Sequence, residues 1–204
     1  MKITLKDGSS KEYSEAKSVY EIAKDISEGL ARAACAGEVD GEVVDLRTTI
    51  DKDCTLNILT FKDEAGKAAY RHTASHVMAE AVKNLFPEAK LAIGPSIDSG
   101  FYYDLDTDHK FVPEDLEKIE AEMKKIIKEN PSIERFELPR NEALELMKDE
   151  PYKVELINDL PEDEIISFYK IGDFTDLCAG PHVMSLKNIK AIKLLRTAGA
   201  YWKG

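Results

Sequence analysis

Three of the four histidines of this 204-residue chain fall in two short motifs. Arg71-His72-Thr73-Ala74-Ser75-His76 sets two imidazoles four residues apart, and Cys178-Ala179-Gly180-Pro181-His182 offers a thiol and a third imidazole just after Asp173 and Asp176. His72, His76, Cys178 and His182 are four ligands of the types zinc takes, imidazole nitrogen and thiolate sulfur. The same groups can work without a metal. An imidazole titrates near neutrality, so it can accept a proton from water or return one to a leaving group, and Asp176 is placed to orient one. Cys178 as a covalent nucleophile is a third chemistry, which requires a thiol pKa depressed by a neighbouring histidine. The His-x-x-x-His spacing lacks the glutamate that follows the first histidine in a metalloprotease helix, so the sequence gives that class no support.

The elements that must carry these groups are legible in outline. Asp63 is a candidate N-cap for a helix running to about Phe86 and stopped by Pro87. Ala74, Val77, Met78, Ala81, Val82 and Leu85 recur along it at helical spacing. At roughly 100° per residue His72 and His76 project nearly opposite that stripe, either to solvent or into a cleft closed by another segment. Beyond it come a turn at 91–95, an aromatic strand at 100–105 that includes Tyr103, and a helix from Pro113 to Asn130 with acids first and lysines last. Further elements are expected at 136–139 (strand), 141–147 (helix), 152–157 (strand, with Lys153 on it) and 165–170, ahead of the turn from Asp173 to His182. The second unit, 62–204, is therefore expected to be an α+β domain.

The first unit, 1–61, reads as a small α+β roll. Residues 2–6 alternate as a strand, Asp7-Gly8-Ser9 is a hairpin turn, and a return strand follows. Ser18 and Glu21 have capping-box spacing before a helical stripe of Val19, Ile22, Ala23 and Ile26, with Gly29 as its expected end. Short strands are expected at 35–37, 42–46 and 54–59, with Cys35 and Cys54 as small core residues.

Composition narrows the classes. Hydrophobic residues at 43% and charged residues at 33% are ordinary for a globular protein able to bury a core. No transmembrane run or signal peptide is apparent, and three irregularly spaced cysteines fit a reducing, cytoplasmic compartment. A net charge of -11 argues against broad nucleic-acid binding. From Val183 onward, however, there is no acidic residue, while Lys187, Lys190, Lys193, Arg196 and Lys203 are basic, either a solvated face or a local basic surface.

The order hairpin, helix, further strands resembles the TGS domain, a ubiquitin-like β-grasp module. His72-Thr73-Ala74-Ser75-His76, Gly100-Phe101-Tyr102-Tyr103-Asp104, Pro151-Tyr152-Lys153, Asp176 through His182 and Thr197-Ala198-Gly199-Ala200-Tyr201-Trp202, in this order, resemble the amino-terminal part of bacterial threonyl-tRNA synthetases. The resemblance spans the chain and implies a TGS domain followed by an editing domain, without the aminoacylation core.

That resemblance implies hydrolysis of seryl-tRNA mischarged on tRNA(Thr). It assigns water and proton transfer to Lys153 and His182, the terminal ribose to His72, and the amino-acid pocket to His76, Tyr103, Asp176 and Cys178. No metal or cofactor is expected for editing, although related alanyl editing modules hold zinc with such a set; ATP and a further zinc belong to the absent core. The expected partner is serine-charged tRNA(Thr). The fragment is expected to be a monomer of a family that dimerises through its core. The alternatives are a non-catalytic RNA- or protein-binding module with structural zinc, and a free-standing editing protein.

Overall fold

The computed structural model describes residues 1–203; Gly204, the last residue of the expected second domain and of the basic stretch, lies outside the described residues. The chain forms two compact units, Met1–Thr73 with Gly180–Met184, and Ala74–Ala179 with the residues from Ser185 onward. No described helix is long and apolar enough to cross a membrane.

The first unit begins with β1 (Lys2–Leu5) and β2 (Ser10–Glu12), paired antiparallel. Gly8 at φ 87° makes the turn between them, and Asp7 Oδ1 accepts the Ser9 N–H at 2.9 Å. After β3 (Lys17–Ser18), the capping box of Ser18 and Glu21 starts α1 (Val19–Ile26). That helix stops sooner than Gly29 suggests. Ser27 is extended, closes α1 and caps α2 (Glu28–Ala33) by accepting the Leu30 N–H, so Gly29 lies inside a second helix.

Four more strands follow: β4 (Ala34–Val39), β5 (Glu42–Val44), β6 (Thr49–Ile50) and β7 (Cys54–Thr60). The main sheet runs β2-β1-β7-β4-β5, with β1 and β7 parallel and its other neighbours antiparallel. Ile3, Val19, Ile22, Leu46, Ile50 and Leu56 fill the space between sheet and α1, and Cys35 and Cys54 are small buried residues as expected. The expected α+β class and β-grasp order are present.

α3 (Glu64–Leu85) supplies its first turns to this unit and the remainder to the second. The second unit then runs through β8 (Lys90–Leu91), β9 (Ser96–Ile97), β10 (Gly100–Phe101), β11 (Leu105–Asp106), α4 (Pro113–Glu129), β12 (Ile133–Glu137), α5 (Arg140–Leu146), α6 (Pro151–Asp159), β13 (Ser167–Ile171) and β14 (Phe174–Leu177). β12, β13 and β14 form an antiparallel sheet, whose Phe168 packs with Ala143, Met147 and Ile157 of α5 and α6.

The strand expected at 152–157 is α6. Pro151 at the first helical position suits its fixed φ, and Lys153 and Ile157, four apart, form the buried face. Apart from the short 3-10 turn Leu186–Asn188, residues 178–201 contain no regular element.

Candidate functional site

Lys153, on the inner face of α6, is 3% exposed, a position that a lysine takes only with partners. Its Nζ lies 3.0 Å from Asp176 Oδ1 and donates to Tyr103 Oη at 2.8 Å. Tyr103 in turn donates to Asp176 Oδ2 at 2.6 Å, closing a three-membered ring of polar groups. His76 Nδ1 lies 3.4 Å from the same Oδ2, and its ring meets Tyr103 edge-on.

The local sequence explains the placement. Asp176 alternates inward on β14, between less buried neighbours. Tyr103 packs with Ala79 and Leu91 and lies against Gly94, where a Cβ would stand 2.2 Å from the ring. Ser75, on α3, holds that segment by donating to the Gly94 carbonyl at 2.7 Å. Cys178 is buried after β14, its N–H donating to Ser167 O and its carbonyl accepting the Ser167 hydroxyl.

The charge state follows from the contacts. Burial opposes ionisation of Asp176, but the Lys153 ammonium, His76 and the Tyr103 hydrogen bond outweigh it and hold the carboxyl below the usual carboxylate range. Burial, then the Asp176 charge, pushes the Tyr103 phenol well up, so Tyr103 is a neutral donor to Asp176.

In the first unit His72 and His182 stack, with ring centroids 4.5 Å apart. His182 is 1% exposed, and its Nδ1 lies 2.9 Å from Thr73 Oγ1. Hydrogen-bond accounting bears on the tautomer. Thr73 has one hydroxyl hydrogen and donates it to the Ala69 carbonyl, which can only accept; it also accepts the Val183 N–H at 3.2 Å. This favours the tautomer in which His182 Nδ1 carries a proton toward Thr73. His72 and His182 of the first unit and His76 and Cys178 of the second are the described His/Cys residues of metal-ligand type singled out from sequence. By donor type the set fits zinc. The fourth histidine, His109, binds Asp115 at 2.8 Å ahead of α4 and belongs to neither group.

Residues 1–60 match the TGS domain family, and residues 166–201 match the family described as Threonyl and Alanyl tRNA synthetase second additional domain. Across its full length the chain is 74% identical to a threonine–tRNA ligase of Clostridium botulinum (strain Eklund 17B / Type B), 68% to that of Clostridium perfringens (strain 13 / Type A) and 66% to that of Clostridioides difficile (strain 630). The chain is similar over its whole length to the amino-terminal region of threonyl-tRNA synthetases. It spans 32% of the length of these curated relatives.

The residues singled out from sequence occur in both compact units. His76, Tyr103, Lys153 and Asp176 meet in the second unit, where Cys178 also lies; His72 and His182 meet in the first. Of the two readings of the α3 face opposite the stripe, solvent or a cleft closed by another segment, His76 takes the second, against Asp176 and Tyr103. Thr73, Ala74, Ser75, His76 and Val77 are all buried, so the middle of the helix has no solvent face, and His76 at 2% exposure is interior. Thr73 and Ser75 were missed although they stand between the two histidines. Glu80, one turn beyond His76, was missed as well; its Oε2 is buried without a hydrogen-bond partner, and burial followed by repulsion from Glu122, Glu129 and Asp173 pushes its carboxyl up to about 7. The basic stretch is partly spent internally, since Lys203 pairs with Glu155 and Asp159, and Lys193 stands 3.8 Å from Glu120.

Proposed function

We propose that the chain is an editing esterase that hydrolyses the aminoacyl ester of seryl-tRNA(Thr), in an editing domain beginning near residue 62 behind a TGS domain. The observation that carries this reading is Lys153 buried beside Asp176 and Tyr103, which belongs with the similarity to threonine–tRNA ligases. Serine is threonine less one methyl group, and an apolar pocket distinguishes a methylene by only about 1–3 kcal/mol, so a ligase for threonine gains from a second, hydrolytic sieve. Such a site must position a water, accept its proton, stabilise the oxyanion and protonate the departing ribose oxygen.

In this reading Lys153, paired with Asp176, handles the water together with His182 and places its charge beside the developing oxyanion. His182 Nε2 takes the proton of the attacking water and returns it to the ribose oxygen, while His72 contacts the ribose. His76, Tyr103, Asp176 and Cys178 shape a pocket that admits serine. Zinc on the His/Cys set would polarise a bound water, but none of these steps requires it. The protein works on serine-charged tRNA(Thr) in the cytoplasm, this region as a monomer and the full-length protein as a homodimer.

Incubation of the chain with seryl- and threonyl-tRNA(Thr) tests the reading: the seryl ester is expected to be lost selectively, more slowly as salt rises, and equal persistence of both esters at high protein concentration overturns it. The donor set favours one second reading, a non-catalytic RNA- or protein-binding module with structural zinc. Stoichiometric zinc and chelator-induced unfolding would support that module; a metal-stripped chain that stays folded and deacylates seryl-tRNA excludes it.

A further inference from the structure

The turn between β5 and β6 holds the main chain of His182. Asp45 there is 8% exposed, and its Oδ2 accepts the His182 N–H at 3.0 Å. Its Oδ1 accepts the Arg47 N–H at 2.7 Å and Arg47 Nη1 at 3.0 Å. Arg47 then reaches the same stretch of chain: Nη1 donates to the His182 carbonyl at 3.1 Å and Nη2 to the Val183 carbonyl at 2.9 Å. One ion pair thus grips both main-chain polar groups of His182 across more than 130 residues of sequence, and all these residues lie in the first compact unit. A guanidinium suits this task because its planar fork meets two carbonyls at fixed spacing, which a lysine cannot do.

We propose that Asp45 and Arg47 are positioning residues for His182, so that the TGS segment is a structural part of the esterase site. The proposal rests on the role given to His182 above. Asp45 and Arg47 fix its main chain while Thr73 fixes its ring, leaving Nε2 as the atom aimed by both. A misplacement of about 1 Å at such a group costs on the order of 100-fold in rate, so loss of the clamp should appear in kcat before it appears in substrate affinity.

Amide hydrogen exchange and seryl-tRNA deacylation on Asp45→Ala and Asp45→Asn test this. In Asp45→Ala the His182 amide is expected to exchange at least about tenfold faster and kcat to fall by at least about tenfold, with KM within about twofold. Amides of β1 and β7 serve as controls and stay protected. Asp45→Asn keeps one oxygen to accept the His182 N–H and should recover part of both losses. A folded Asp45→Ala with parental His182 exchange and kcat overturns the proposal. Should that variant not fold, Arg47→Lys decides by the same two readouts. A parent chain with no deacylation defeats the esterase reading alone, because the exchange comparison still shows whether the clamp exists.

Discussion

Lys153 Nζ and Asp176 Oδ1 face each other at 3.0 Å with both side chains almost fully buried. Breaking such a pair from one side leaves an uncompensated buried charge, at a cost of about 3–5 kcal/mol. Asp176→Asn is therefore expected to lower the urea-derived stability by about that amount at pH 7, and to lower seryl-tRNA deacylation with it. The pH signature follows from the sign of the shift. The folded carboxyl lies below its unfolded value, so its contribution is present above about pH 4 and lost as pH falls through the folded pKa. A parent chain and Asp176→Asn with the same stability at pH 7 would remove the pair from this account.

Glu80 shifts the opposite way, and so does its effect on stability. Its folded pKa of about 7 stands above the ordinary glutamate value of 4.5. Between those values the folded state binds more protons than the unfolded one, so stability falls as pH rises from about 4.5 to 7. Glu80→Gln removes that penalty. The variant is expected to match the parent near pH 4.5 and to exceed it by about 2 kcal/mol at pH 8, read from urea midpoints at the two pH values. A constant difference at both pH values would place the effect in packing instead of ionisation.

Thr73 is the acceptor for the buried Val183 N–H and, in the favoured tautomer, for His182 Nδ1–H. Thr73→Val keeps the shape and removes the acceptor, at about 1–3 kcal/mol for each donor left buried without its bond. It also frees the His182 ring to take the other tautomer. Deacylation is expected to fall by about 100-fold or more, with Thr73→Ser restoring most of it and the imidazole nitrogen shifts of His182 reporting the tautomer directly. Parental kcat in Thr73→Val would show that the tautomer does not matter.

How much of this was legible in the sequence depended on the range of the interaction. The Asp7-Gly8-Ser9 hairpin and the Ser18/Glu21 capping box are local hydrogen-bond devices, and both stand where their residues predict. Tyr152-Lys153-Val154-Glu155-Leu156-Ile157 reads as a strand because apolar and charged residues alternate, yet Pro151 starts a helix there and the Lys153/Ile157 pair is its buried face. The apolar count on α3 hid the burial of its middle, because Thr73 and Ser75 go inside by giving their hydroxyls to carbonyls. Lys153 was placed by resemblance to a family, not by pattern. Asp45 and Arg47 carried no signal at all: their partners stand at His182 and Val183, and no local periodicity reports so distant a contact.

Three glycines give a graded test of the packing around these elements. At Gly66, in the first turns of α3, a Cβ would stand 1.9 Å from the Thr60 carbonyl oxygen, main chain that cannot swing aside. At Gly94 it would meet the Tyr103 ring at 2.2 Å, and moving that ring disturbs the oxygen held between Lys153 and Asp176. Gly29 lies inside α2 with only Arg32 Nη2 nearby, at 3.9 Å. Overpacking costs about 1–3 kcal/mol, so Gly66→Ala is expected at or above the top of that range and Gly94→Ala within it. Gly29→Ala should instead stabilise by about 0.5–1 kcal/mol, the helix-interior difference between the two residues. Gly94→Ala alone should also lower deacylation beyond its effect on the folded fraction, because only it moves a group in contact with Lys153. Urea unfolding of the three variants ranks them, and a Gly94→Ala chain with parental stability and parental deacylation would show that Tyr103 does not depend on this close approach.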